Sequence, residues 1–138
     1  ANTDSLTTLH AVLDDTAQGV FQGKVVVARD AQHVDAQQQS RAMMLSEHAH
    51  MSAKPELEIY ADDVACAHGA ALGELDGDAL FFLRSRGIDE AAARHMLISG
   101  FLAAPLAHIE NEELRALVAA HVAAHVPGGD GKGELANV

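Results

Sequence analysis

Over the first 75 positions the apolar residues come in short runs: "VF" from Val20, "VVVA" from Val25, "AMML" from Ala42, "LEIY" from Leu57 and "VACA" from Val64. Polar stretches rich in Gly, Asp, Gln and Ser separate them. That is the rhythm of strands rather than of amphipathic helices. The stretch "LHAVLDDTAQGVFQGKVVVA" predicts two strands around an Asp-Thr-Ala-Gln-Gly turn, with β-branched residues at Val20 and Val25 to Val27, and a hairpin or a tight corner suits it. The centres of the following runs, near Val26, Met44, Ile59 and Cys66, lie too close together for helical crossovers of a dozen residues or more. An all-β segment is therefore expected. A sandwich and a solenoid of stacked coils both fit, and periodicity does not choose between them. Pro55 is read as the start of a strand, because a proline in mid-strand removes a ladder hydrogen bond.

After Gly73 the period changes to that of helices. Asp76 caps a first helix through Ala79, Leu80, Leu83 and Arg84, which Gly87 ends as a left-handed residue. Asp89 caps a second, with Ala92, His95, Met96, Ser99 and Leu102 on one side and Pro105 as its stop. A third starts near Asn111 and carries Leu114, Leu117, Val118, His121 and Val122. The predicted organisation is thus a strand-built part over 1–75, a helical part over 76–126 and a flexible Gly-rich tail over 127–138.

Composition narrows the function. The chain has 138 residues, 49% of them hydrophobic, enough for a real core. Nine Lys plus Arg against twenty Asp plus Glu leave a net charge of −11, which repels a phosphate backbone and argues against a nucleic-acid partner. No apolar run is long enough to span a bilayer, and "ANTDSLTTLH" lacks the basic and apolar regions of a signal peptide. One cysteine cannot form an internal disulfide, so a reducing, cytoplasmic compartment is expected. The chain opens on Ala in mid-pattern, as a piece of something longer would.

The candidate chemistry centres on Cys66-x-His68. Thiolate and imidazole are the side chains that hold zinc, copper and iron–sulfur iron, and alternation along a strand puts both on one face. Two ligands make half a site, and the competing reading is a buried thiol beside a satisfied histidine. His121 and His125 stand one helical turn apart, but "HVAAH" lacks the Glu of HExxH and is read as two polar residues on a partly solvated face. His48 and His50 are read as turn residues. The carboxylates Glu56, Glu58, Asp62 and Asp63 could suggest polysaccharide hydrolysis, but an aromatic content of 4% without Trp argues against a sugar groove. Nucleotide-binding and serine-hydrolase motifs are absent, and no enzyme signature is found. Phe81, Phe82, Met96, Leu97, Ile98 and Phe101 exceed what one face of two short helices needs. They either cap the strands or form a docking surface.

The ordered motifs "GVFQGKVVV", "KPELEIYADDVACAHGA" and "LFFLRSRGI", spread over residues 17 to 104, resemble the carboxy-terminal third or so of the SufB/SufD family of iron–sulfur cluster assembly proteins. The resemblance implies the end of a right-handed parallel β-helix followed by a carboxy-terminal helical domain. It implies a non-catalytic scaffold that pairs with a SufB-like subunit through the β-helix end and docks a SufC-like ABC ATPase through the helices. Phe81, Phe82, Arg84, Met96 and Phe101 are the docking residues expected. Gly69 after the histidine is SufD-like, since SufB-type chains carry a carboxylate there. By position His68 resembles the histidine that faces SufB, with Cys66 beside it, at the interface where a transient cluster is assembled. No metal is expected to stay bound to the chain in isolation. A truncated β-helix with an open edge is expected to form a homodimer.

Overall fold

Strands β1 (Thr3–Leu13) and β2 (Gln18–Val27) are joined by a corner and do not pair with one another. The corner is built by Asp14 and Asp15: Asp15 takes φ +53°, the Asp14 side chain accepts from the Asp15 amide at 2.8 Å, and the Ala17 amide donates to the Asp14 carbonyl at 3.0 Å. The chain then repeats the pattern with β3 (Val34–Met44), β4 (His50–Ile59) and β5 (Ala65–Glu74). β1 runs parallel to β3 from Thr3↔Val34 to Leu13↔Met44, and β2 runs parallel to β4 from Gln18↔His50 to Val27↔Ile59. One sheet has the order β1-β3-β5 and the other β2-β4. The crossover between two paired strands is itself a strand of the other sheet, which explains why the runs lie so close in sequence. The computed structural model describes residues 2–126, and the Gly-rich segment 127–138 expected to be a tail lies outside them.

Corner stacks on corner through backbone bonds from Leu45 to the Leu13 carbonyl at 2.8 Å, from His50 to Ala17 at 2.9 Å and from Tyr60 to Val27 at 2.9 Å. The Ser46 hydroxyl also donates to the Asp15 carbonyl. Leu13, Ala42 and Met51 form a buried cluster that joins the two sheets, with Leu9, Phe21 and Met44 against it.

Two expectations are corrected here. β3 begins at Val34, well before "AMML", and the polar segment Gln37-Gln38-Gln39-Ser40 lies within it, with Gln38 and Ser40 only 3% and 2% exposed. Small and amide side chains on a strand's inner face hide its period from a hydrophobicity pattern. Pro55 stands inside β4, opposite Gly23, and not at its start. Among the described strands β4 pairs only with β2, and an edge strand tolerates a proline whose missing N–H faces the open side.

Contacts divide the chain into Ala1–Gly73 and Glu74–Val138. The second unit contains α1 (Gly77–Ser85), α2 (Glu90–Ala103), a 3-10 turn (Ala104–His108) and α3 (Glu112–Ala123). Asp76 caps α1 by accepting from the amides of Asp78 and Ala79, Asp89 caps α2 through Ala92, and Asn111 caps α3 through Leu114. Gly87 takes φ +87° after α1, a conformation that costs a side-chain-bearing residue about 1–2 kcal/mol. Ala103, Leu106, Ala119 and Ala123 form the local core.

Candidate functional site around His68

Cys66 and His68 lie on β5, an outer strand of its sheet, and two residues apart on a strand they share a face. His68 is exposed and Cys66 is partly covered. Between β3 and β5 runs an open groove of about 310 Å³ lined by Gln37 to Arg41 and by Ala67 to Ala71, with His68 in its wall. Ser40 donates across it to the Gly69 carbonyl at 3.5 Å, the outer limit of a hydrogen bond. The small residues Ala67, Gly69, Ala70 and Ala71 leave the imidazole without bulky neighbours along its own strand.

The groove's β3 wall, Gln38, Ser40 and Arg41, is what pattern reading missed. Its signal was the alternation of Ala36, Gln38, Ser40 and Ala42, all buried, with exposed Gln37, Gln39 and Arg41. Gln38 Oε1 is buried without a hydrogen-bond partner.

The other candidates are placed elsewhere. Asp63 pairs with His33 at 3.0 Å, and its amide donates to Gln32 Oε1 at 2.9 Å, so Asp62 and Asp63 belong to a corner. Glu58 holds Lys24 and Glu56 lies 3.9 Å from Lys54 on the outer face of β2 and β4. The hydrogen bond to Glu58 raises the Lys24 pKa above its ordinary 10.5, with the charges of Glu58, Glu56 and Tyr60 adding to it and desolvation opposing it. These carboxylates neutralise lysines and do not face each other as an acid/base pair. His48 lies in the turn before β4 and His50 opens that strand. Among the described residues no three His, Cys, Asp or Glu side chains gather into a metal-holding group.

On the helices, Phe81 is 74% exposed, while Phe82 stands under the Arg86 guanidinium at 4.3 Å. Met96 is exposed, but Phe101 is partly covered, Ile98 is buried, and Arg84 is tied to Glu90 at 3.3 Å. Of the expected docking residues, Phe81, Phe82 and Met96 are large exposed apolar groups, and Leu114 and Leu117 on α3 are exposed as well. No described helix is long and apolar enough to cross a membrane.

Residues 1–101, which include every described strand and the His68 groove, match the family model described as "SUF system FeS cluster assembly, SufBD core domain". The chain belongs to the SufBD core-domain family. Among its relatives, the iron–sulfur cluster assembly protein SufD of Escherichia coli is 38% identical over 118 residues, 86% of this chain and 28% of that protein. A SufBD family protein of Synechocystis is 49% identical over 90 residues, 65% of this chain and 20% of the relative. SufD of Bacillus subtilis is 42% identical over 94 residues, 68% of this chain and 22% of its own length. The chain spans between 20% and 28% of these SufBD proteins, less than the third the motifs imply.

Proposed function

We propose that this SufBD chain is part of a SufD-type scaffold subunit of the cytoplasmic SUF iron–sulfur cluster assembly complex. In this reading its five strands are the last coils of a right-handed parallel β-helix. That end pairs with a SufB-like subunit, and the helical unit docks a SufC-like ABC ATPase through Phe81, Phe82 and Met96. The chain itself is a binding surface and not an enzyme. The supporting observation is the position of His68, exposed on the outer strand β5 in an open groove, where a partner's side chains can reach it.

A neutral imidazole in that position can ligate iron or take up the proton released as sulfide is delivered. The cluster is cargo, completed by ligands from the partner. Cys66 lies on the same strand face, partly covered, and is a neighbour rather than the principal ligand.

The test is co-purification with SufB and SufC, wild type beside His68→Ala, reading stoichiometry together with iron and sulfide. Assembly in both variants with cluster only in the wild type is the expected outcome. Equal cluster in both variants overturns the ligand role and leaves a purely structural adaptor, the second reading. His68 then lines the interface and nothing more.

A further inference from the structure

The pair His121 and His125 lies outside the family-matched residues and has no part in the reading above. We propose that it forms a bidentate site for a borderline divalent transition-metal ion of the Zn²⁺, Ni²⁺ or Cu²⁺ type, at the carboxy-terminal end of α3.

His121 lies in the last turn of α3 and His125 in the turn just past the helix end at Ala123, and the two ring centroids are 4.8 Å apart with planes inclined by 47°. His125 Nδ1 lies 2.8 Å from the His121 carbonyl oxygen. A carbonyl only accepts, so Nδ1 carries the proton, and Nε2 is the nitrogen left to offer a lone pair to a metal ion. Such a backbone bond on the far nitrogen is the device that orients a metal-bound imidazole and fixes its tautomer.

Position and charge act in the same direction. His121 occupies the last turn of α3, where the final carbonyls leave the negative end of the helix dipole, which favours a cation. Both histidines are exposed, so an ion keeps its remaining waters and gives up little hydration. The net charge of −11 concentrates cations around the protein. Imidazole pairs suit zinc, nickel and copper better than magnesium or calcium, which prefer oxygen.

The test is calorimetric titration of the untagged chain with Zn²⁺, Ni²⁺, Cu²⁺ and Mg²⁺ in turn. One ion per chain is expected, tightest for Cu²⁺ and without detectable Mg²⁺ binding. His121→Gln and His125→Gln should each weaken binding by roughly tenfold or more, while His48→Gln/His50→Gln leaves it unchanged. Because a ligating imidazole must be unprotonated, binding should weaken on acidification. Circular dichroism of each variant checks that the helices persist. Wild-type affinity in both single variants, or loss of binding in His48→Gln/His50→Gln, overturns the assignment. So does a wild-type chain that takes up none of the three transition ions.

Discussion

Replacing Gly23 by Ala tests how closely the two sheets approach. A Cβ at this position would lie 2.7 Å from Phe21 Cζ and 2.9 Å from Gln38 Cδ, and closer still to Gln38 Nε2. The half-buried Phe21 ring can swing aside, but the Gln38 amide is 3% exposed and has little room to move. Overpacking of this kind costs about 1–3 kcal/mol. The reduced freedom of the unfolded chain returns about 0.4–1 kcal/mol. Gly23→Ala should therefore destabilise the strand unit by about 1–2 kcal/mol.

Gln38→Ala should be close to neutral, since it removes a buried amide whose oxygen has no partner along with its packing. In the double variant the clash with Gln38 is gone and only the Phe21 ring has to swing aside, so a coupling of about 1 kcal/mol in favour of the pair is expected. Urea unfolding followed by the emission of Tyr60, the single tyrosine of a chain without Trp and placed at the end of β4, reads the strand unit selectively. With a slope of about 2 kcal/mol per molar urea, within the usual range of about 1–3, Gly23→Ala lowers the midpoint by roughly 0.5–1 M. Strict additivity of the two substitutions would refute the close approach of β2 and β3.

Asp76→Ala leaves the two amides at the start of α1 without their carboxylate acceptor and should cost about 0.5–2 kcal/mol, read as lost helical ellipticity at a fixed denaturant concentration. The folded-state pKa of Lys24 is raised, so the stability contributed by its bond to Glu58 is fully present below pH 10.5 and is lost as pH rises through the folded value. Thermal unfolding of wild type and Lys24→Met should accordingly differ at neutral pH and converge at strongly alkaline pH; a gap that persists there contradicts the assignment. β5 and β4 are outer strands, and β5 is exposed along nearly its whole length, so the isolated chain should run as a dimer in light scattering. A single monomeric species at high concentration refutes that expectation.

The helical half was legible from sequence because its information is local. Asp76, Asp89 and Asn111 act on amides two or three residues away, and Gly87 and Pro105 act on their own backbone, so type and spacing suffice to place three helices. Cys66-x-His68 was legible for a similar reason, since alternation on one strand alone puts both on a common face. The strand half was legible in kind but not in bounds. Gln38 is an interior residue because β2 and β3 approach closely at Gly23, a contact between positions distant in sequence. Likewise, nothing local distinguishes a hairpin at Asp14 and Asp15 from a corner, because the choice rests on β1 finding β3, and β2 finding β4, as parallel partners farther along the chain. Local chemistry therefore determined the caps, the turns and the His68 motif, whereas strand pairing and sheet packing, which are non-local, decided which residues are buried and where His68 meets its groove.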